Sequence, residues 1–226
     1  MTTGADAPAG ARYDGLADWY EETARPSAEF SRDALVDLLG HTGGLCLDLG
    51  CGTGLYGDIL RKAGRIVIGV DISRDQLRLA AEREPVAAGD AARLPFRDCA
   101  FDDVAAIWVH GDFDDLPGVL AEVARVLRPG GRLVLFGVHP CFNGPCVENR
   151  DEGARLVHPN YRESGWHRRA PWWGVAGIRS TVGVRHRPLA ELLNDILQSP
   201  LQLSRVEEPR DDPVPAVLAL VAHRPR

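Results

Sequence analysis

The segment from Leu45 to Gly54 joins a short apolar run to a glycine-rich turn, and Asp48 lies two positions before the first glycine. Glycines let a backbone approach a ligand closely, and a helix that begins after such a turn offers free N–H groups. Gly52, Gly54 and Gly57 also have the G-x-G-x-x-G spacing of dinucleotide-binding turns. The Asp48 carboxylate would repel a pyrophosphate but attract an ammonium or sulfonium group. The turn therefore favours a cationic ligand over a dinucleotide.

Two further acidic residues follow the next two predicted strands. Asp71 comes seventeen residues after Gly54 in Val-Asp-Ile-Ser, about where nucleotide-binding sheets place an acid that accepts from both ribose hydroxyls. Asp90 could accept from an adenine amino group while the Ala91 N–H donates to a ring nitrogen. Alone, either acid is typical of a helix cap or a turn. Three acids after three successive strands favour a ligand along that sheet edge.

His110 and His139 follow the predicted fourth and fifth strands, where catalytic groups of such sheets gather. An imidazole can take a proton near pH 7, so both are candidate general bases. The alternative is that each histidine hydrogen-bonds a loop carbonyl and has no part in chemistry.

Residues 139–187 break the regular pattern, and they hold eight arginines against four acidic residues. A loop of this length inside a compact domain is usually functional, so we predict a lid over the sheet. Arginine can bind a carboxylate through two hydrogen bonds, and aromatic side chains suit a flat molecule. The alternative is an aromatic mini-core under a basic surface. The candidate substrate-binding residues are Tyr161, Trp166, Arg168, Trp172 and Trp173.

The elements that must position these residues alternate between short apolar runs and stretches of helical period, which predicts an α/β fold with a parallel sheet. Predicted strands span 45–49, 66–70, 86–88, 103–109 and 132–138, with helices at about 55–63, 74–83 and 115–127. Ser73 and Asp114 are the expected helix N-caps. A helix at 188–197 and strands at 201–207 and 216–222 follow. We predict a mobile tail at 1–12 and a single domain over 13–226.

Composition excludes several classes of partner and site. The 226 residues carry a net charge of −6, which argues against a nucleic-acid partner. The five cysteines are odd in number and have no C-x-x-C spacing, so we expect no metal site and a reducing, cytoplasmic location. We also expect no signal peptide and no membrane-spanning segment. Oligomeric state leaves no trace in the sequence.

Several motifs together resemble the class I S-adenosylmethionine-dependent methyltransferases of the small-molecule type, related to the ubiquinone- and menaquinone-methylating enzymes. The resemblance covers about residues 13–138. It implies a Rossmann-like, doubly wound, seven-stranded sheet, mostly parallel with an antiparallel last strand. The motifs are D-L-G-C-G-T-G at 48–54, V-D-I-S at 70–73, G-D-A-A-R-L-P-F at 89–96, F-D-D-V at 101–104 and V-L-R-P-G-G-R-L at 126–133.

The resemblance also implies a cofactor, S-adenosylmethionine, with S-adenosylhomocysteine as the product. It places the methionine part against the glycine-rich turn, the ribose on Asp71 and the adenine beside Asp90. Tyr13 would close over the cofactor carboxylate, and the Trp108 backbone would receive its amino group. The implied cofactor-binding residues are Tyr13, Asp48, Gly50, Cys51, Gly52, Gly54, Asp71, Ile72, Asp90, Ala91 and Trp108.

The predicted function is methyl transfer by in-line displacement to a small-molecule acceptor, aromatic or carboxylate-bearing. Neither N-P-P-Y nor D-P-P-Y follows the fourth strand, so the pattern for methylating adenine or glutamine amides is missing. One alternative is a non-catalytic cofactor-binding protein of the same fold. Another is an NAD(P)-dependent oxidoreductase, against which stand Asp48 and the absence of a Tyr-x-x-x-Lys pair.

Overall fold

A seven-stranded sheet runs through the computed structural model, which describes residues 11–173, 177–209 and 213–226. The strand order is β10-β11-β5-β4-β1-β2-β3, and within the described residues β11 alone runs antiparallel to its neighbours. This confirms the predicted, mostly parallel sheet with an antiparallel last strand. The strands are β1 (Gly44–Leu49), β2 (Arg65–Asp71), β3 (Val86–Ala88), β4 (Phe101–Ile107), β5 (Leu127–Val138), β10 (Gln202–Glu207) and β11 (Val217–His223).

Helices cover both faces of the sheet because its strands are apolar on both sides. Along β4, Val104 and Ala106 belong to one buried core, and Ala105 and Ile107 belong to the other. The first core includes residues of α4 and α6, and the second includes residues of α1 and α2. The helices are α1 (Ala17–Leu39), α2 (Gly57–Lys62), α3 (Arg74–Ala80), α4 (Leu116–Val126), α5 (Ile178–Val182) and α6 (Leu189–Gln198).

The helix α1, the longest of the described residues, is absent from the elements predicted from the sequence. Its buried positions recur every three or four residues, as a helix requires, but they include Glu21, Ser31 and several alanines. A stripe of small and polar residues gives a weak apolar signal. The predicted tail at 1–12 falls mostly on residues 1–10, which lie outside the described residues, whereas Arg12 bonds to Asp112 and Asp114.

Two local predictions are corrected at the end of the fourth strand. The strand β4 ends at Ile107 rather than at residue 109, and Trp108 has a left-handed backbone with φ of 59°. Asp115, not Asp114, caps α4 by accepting from the Gly118 N–H at 2.9 Å. Asp114 instead forms ion pairs with two arginines. The Ser73 cap is confirmed, because its hydroxyl accepts from the Gln76 N–H.

The segment 139–187 is not a plain loop. It contains two small antiparallel sheets, β6 (Val147–Asn149) with β7 (Arg155–Val157) and β8 (Gly165–His167) with β9 (Val184–His186). Short 3-10 turns at 151–153 and 159–162 and the helix α5 complete it. That this segment acts as a lid remains a prediction.

Candidate functional site

A cavity of about 440 Å³ opens at the carboxyl ends of β1, β2 and β4. The chain passes from β1 to β2 and β3 on one side and to β4 and β5 on the other, so the sheet reverses its winding here. Ligands of open α/β sheets bind at such a reversal. The walls come from the glycine-rich turn, the segments after β2, β3 and β4, and the N-terminal segment. The lining residues include Arg12, Tyr13, Tyr20, Gly50, Gly52, Asp71, Ile72, Gln76, Asp90, Ala91, Trp108, Val109, Asp112, Asp114 and Asp115.

The glycine-rich turn contributes backbone rather than side chains. The Gly50 N–H donates to the Val70 carbonyl at 2.8 Å, and Gly50 has φ of 70°. A Cβ atom on Gly50 would lie 2.4 Å from the Val109 side chain, so the turn excludes any larger residue. Gly50 and Gly52 line the cavity, as predicted for cofactor contacts.

Three residues of the same motif lie behind the cavity wall. Gly54 packs against α3, where an added Cβ would lie 3.2 Å from the Ala80 Cα atom. Cys51 is buried under the turn. Asp48 is 1% exposed, and its Oδ2 atom has no hydrogen-bond partner among the described residues. Burial, together with the nearby Glu84 carboxyl, raises the pKa of Asp48. The structure therefore places none of these three residues on the cavity wall.

Asp71 and Asp90 do lie on the wall. Asp71 Oδ2 accepts from the Gly52 N–H at 2.9 Å, and its Oδ1 accepts from the Ser73 N–H at 2.8 Å. Both oxygens are therefore fixed, and each keeps a lone pair for a further donor. Burial raises the pKa of Asp71. Asp90 Oδ1 accepts from the Ala92 N–H at 2.9 Å, and Ala91 and the exposed Ile72 line the same cavity.

Tyr13 and Asp112 meet across the cavity. The Tyr13 hydroxyl lies 3.3 Å from both Asp112 carboxylate oxygens and donates to them, and the Tyr13 ring packs edge-on against Tyr20 at 5.3 Å between ring centroids. Burial raises the pKa of Asp112 to about 7, although Arg12 acts against this shift. Tyr13 therefore lies on the cavity wall. Asp112 was missed, because only folding brings the two residues together.

Gln76 was also missed by the sequence analysis. Its side chain is 1% exposed and lines the cavity, yet neither amide atom has a hydrogen-bond partner among the described residues. The Oε1 atom lies 3.5 Å from where a Cβ on Gly52 would be. Buried polar atoms are nearly always paired, so an unpaired carboxamide on a cavity wall indicates a polar ligand.

Trp108 lies on the wall where the chain leaves β4. Its N–H donates to the Phe136 carbonyl at 2.6 Å, and its indole Nε1 donates to the Ser31 hydroxyl at 3.3 Å. The indole is therefore held towards α1, which leaves the left-handed Trp108 backbone beside the cavity. That the Trp108 backbone receives the cofactor amino group stays a prediction.

The two candidate bases are not on the cavity wall. His139 is 2% exposed; its Nδ1 accepts from the Cys141 N–H at 3.1 Å, so its Nε2 carries the proton and donates to Glu208 at 2.9 Å. His110 Nε2 lies 3.2 Å from the Val138 carbonyl and donates to it. Burial lowers the pKa of His139, and it lowers the pKa of His110 to about 4. His110 makes the carbonyl hydrogen bond of the structural alternative, whereas His139 bonds an N–H and a carboxylate. The catalytic role of both stays a prediction.

The predicted substrate-binding residues are dispersed over the segment 139–187. The Tyr161 hydroxyl accepts from the Leu189 N–H, and Arg168 is exposed. The Trp166 ring lies under the Arg12 guanidinium, 4.0 Å from the ring centroid, with an unpartnered indole Nε1 among the described residues. None of these three residues lines either cavity described here.

Trp172 and Trp173 line a second cavity of about 360 Å³, together with residues of α1, β6 and α5. An extended chain would point two consecutive side chains to opposite sides. Both rings reach the cavity because the chain turns here, with the Trp173 N–H donating to the Ala170 carbonyl at 3.0 Å. Arg179 of α5 lines the same cavity, and the sequence analysis did not select it.

Negative charge dominates the first cavity. Its described walls carry five aspartates, Asp71, Asp90, Asp112, Asp114 and Asp115, against one arginine, Arg12. Such walls favour a cationic ligand and oppose a pyrophosphate. No cluster of three or more histidine, cysteine or acidic side chains suited to a metal ion occurs in the described ranges. Among the same residues, no helix has both the length and the apolar character needed to span a membrane.

Known proteins resemble the chain over its sheet-forming part. Residues 47–135 match the profile of a family described as "Methyltransferase domain". A demethylmenaquinone methyltransferase from Thermobifida fusca is 36% identical over 138 residues, covering 55% of this chain and 58% of the relative. A malonyl-[acyl-carrier protein] O-methyltransferase from Serratia marcescens is 37% identical over 117 residues, covering 49% of this chain and 46% of the relative. The chain thus spans about half the length of these curated relatives.

Solved structures extend the similarity to most of the chain. An S-adenosylmethionine-dependent methyltransferase from Mesorhizobium loti superposes with a TM-score of 0.70 at 25% identity, covering 87% of this chain and 98% of the other. A structure from Listeria monocytogenes, described as a putative enzyme of the same kind, superposes with a TM-score of 0.67 at 17% identity over 91% of this chain and supports the fold alone. Sheet order, motif positions and these matches agree: residues 47–135 are similar to a methyltransferase domain, and the whole fold is similar to that of S-adenosylmethionine-dependent methyltransferases.

Proposed function

We propose that the chain transfers a methyl group from S-adenosylmethionine to a small molecule that enters beside the first cavity. The observation that carries this proposal is the set of cavity walls: five carboxylates, a glycine turn that approaches the ligand closely, and an unpaired carboxamide. S-adenosylmethionine brings a sulfonium and an ammonium charge but no phosphate. The excess of carboxylates over the one arginine on the same walls opposes the pyrophosphate of the NAD(P)-dependent alternative.

The described residues fit the parts of this cofactor. Asp71, oriented by the Gly52 and Ser73 N–H groups, is placed to accept from the two ribose hydroxyls. Gln76 offers a donor and an acceptor next to Gly52, where the ribose and the methionine part would meet. Asp90, held by the Ala92 N–H, is suited to accept from the adenine amino group. The Gln76 assignment gives partners to two amide atoms that have none among the described residues.

The mechanism needs placement more than acid–base chemistry. The cofactor supplies an electrophilic methyl group, and a nucleophile must be held in line with it at about 3 Å. Tyr13 and Tyr20 pack edge-on against each other on one wall of the cavity, where their rings can shield a bound cofactor from water. An acceptor that is protonated at neutral pH also needs a base. Asp112 lines the cavity and has a pKa of about 7, which suits it to exchange a proton there.

Calorimetric titration with S-adenosylhomocysteine tests the cofactor assignment, with NADH as the competing ligand. Wild type should bind S-adenosylhomocysteine and not NADH. Asp71→Ala should raise the dissociation constant about 10- to 100-fold, because hydrogen bonds to a charged group contribute about 1.5–3 kcal/mol. Asp37→Ala is the matched control: its carboxylate is 78% exposed on α1 and contacts Arg205 at 3.5 Å. Absence of S-adenosylhomocysteine binding to wild type would overturn the proposal.

A second experiment separates an enzyme from a non-catalytic cofactor-binding protein of the same fold. Wild type is incubated with S-adenosylmethionine carrying a labelled methyl group and a pool of small-molecule acceptors. Transfer of label supports the enzyme. Binding of S-adenosylhomocysteine without transfer to any acceptor in the pool favours the non-catalytic alternative. The cytoplasmic location and the absence of a nucleic-acid partner stay predictions from cysteine usage and charge.

A further inference from the structure

We propose that the second cavity binds the anionic end of the methyl acceptor, with Arg179 as the counter-ion of a carboxylate. This inference rests on the proposed methyl transfer and deepens it by naming the acceptor class. The cavity has a volume of about 360 Å³, enough for a small aromatic acid. Its lining residues include Asn143, Trp172, Trp173 and Arg179.

Arg179 forms no ion pair with a carboxylate of the described residues. Its Nη1 atom donates to the Asn143 backbone carbonyl at 2.7 Å and to the Asn143 side-chain oxygen at 3.0 Å. An enclosed, unpaired cation is costly, so arginines in such places normally face an anion.

The charge persists at neutral pH even though Arg179 is enclosed. Burial lowers the pKa of Arg179 to about 10, with Tyr13 and Asp112 acting against the shift. The guanidinium therefore stays protonated at pH 7. Its hydrogen bonds within the described residues go to the neutral groups of Asn143, so the guanidinium can still pair with an anionic ligand. A carboxylate can accept two parallel hydrogen bonds from a guanidinium, a geometry that no neutral amide reproduces.

The aromatic walls suit a flat acceptor. The Trp172 ring stacks on His158, with 3.5 Å between ring centroids and 4° between planes, and its Nε1 donates to the Pro145 carbonyl at 3.1 Å. Two contacts thus fix the Trp172 ring before any ligand binds, and Trp173 lines the same space. Rigid aromatic walls bind a flat molecule at low entropic cost. The exposed Arg168, chosen from the sequence as a substrate-binding residue, has no such surroundings.

Arg179 also connects the second cavity to the first. Tyr13 and Asp112 line the first cavity, and both are near enough to favour the charged form of Arg179. On this proposal, an acceptor bound by its carboxylate to Arg179 extends towards Tyr13 and Asp112. These two residues border the space assigned to the cofactor. The arrangement orients the acceptor by its anionic end and leaves the opposite end for methylation.

The test uses matched pairs of probes: 4-hydroxybenzoate with 4-hydroxybenzamide, and phenylacetate with phenylacetamide. Each is titrated calorimetrically into wild type, Arg179→Gln, Arg179→Lys and Arg168→Gln, with and without saturating S-adenosylhomocysteine. Wild type should bind at least one acid about 10-fold or more tightly than its amide. Arg179→Gln should lose this preference, Arg179→Lys should keep part of it, and Arg168→Gln should match wild type.

Three results would overturn the inference: acids and amides that bind wild type equally, a preference that survives in Arg179→Gln, or no binding of any probe. Titration of S-adenosylhomocysteine into every variant shows whether the fold persists, since Arg179 does not line the first cavity. If wild type does not bind S-adenosylhomocysteine, the proposed function fails. The acid preference measured without S-adenosylhomocysteine then still decides whether the anion site exists.

Discussion

Replacing Asp112 by asparagine should remove a pH-dependent destabilisation of the ligand-free protein. Burial raises the pKa of Asp112 from 3.8 to about 7, because the folded state desolvates its charged form. The folded chain therefore holds a proton that the unfolded chain has already released between these two values. Stability is lost as the pH rises from about 4 to about 7, and the loss is complete above pH 7. Asparagine resembles the protonated carboxyl and still accepts from the Tyr13 hydroxyl.

The magnitude follows from the size of the shift. Each pKa unit corresponds to about 1.4 kcal/mol, so a shift of about three units sets an upper bound of about 4 kcal/mol. Asp112 lies at the wall of an open cavity, where water reduces the penalty of ionisation. We therefore expect the unfolding free energy of Asp112→Asn to rise by about 2 kcal/mol relative to that of wild type when the pH goes from 4.5 to 8.5.

Urea denaturation without ligand, followed by circular dichroism, gives the unfolding free energy of each protein at both pH values. The expected rise is the change, from pH 4.5 to pH 8.5, in the difference between Asp112→Asn and wild type. The elevated pKa values of Asp48 and Glu84 also make stability pH-dependent, but they do so equally in both proteins and cancel. Asp37→Asn, a change at an exposed carboxylate, is the control and should follow wild type. If Asp112→Asn and wild type differ by the same free energy at both pH values, the raised pKa and the reasoning built on it are refuted.

Three further substitutions test the site and its surroundings. Gln76→Leu removes two unpaired buried polar atoms, so it should stabilise the ligand-free protein by about 1–2 kcal/mol. It should also weaken S-adenosylhomocysteine binding about 10-fold, and an unchanged affinity would contradict the assignment of Gln76. Gly54→Ala should lower the unfolding free energy, measured by urea denaturation, by about 1–3 kcal/mol more than Gly153→Ala does. Both glycines have positive φ, but only at Gly54 would the added Cβ lie within 4 Å of a neighbour. His139→Gln should leave S-adenosylhomocysteine affinity within about two-fold of wild type, because His139 is off the cavity wall; a larger loss in the same titration would restore it as a site residue.

The local elements could be predicted from the sequence because each is set by neighbouring residues. The apolar run before Gly50 makes β1, and the glycines allow the positive φ that the turn requires. Ser73 is three residues from the N–H group that it caps, so no distant contact is needed. Asp71 and Asp90 follow strands whose carboxyl ends share one edge of the sheet, and this placed both on the cavity wall. These positions depend on short-range pattern and on the alignment of parallel strands.

Only the tertiary structure decided which side chains face a cavity. Tyr13 and Asp112 are 99 residues apart, and they meet because α1 and the loop after β4 pack at the same edge. Asp48 belongs to the same motif as Gly50 but is buried within β1, whereas Gly50 follows the strand and lines the cavity. Arg179 is enclosed only after α5 packs beside α1 and Trp172. The sequence determined which chemical groups follow each strand, whereas burial and the direction of each side chain arose from contacts between distant segments that no local pattern records.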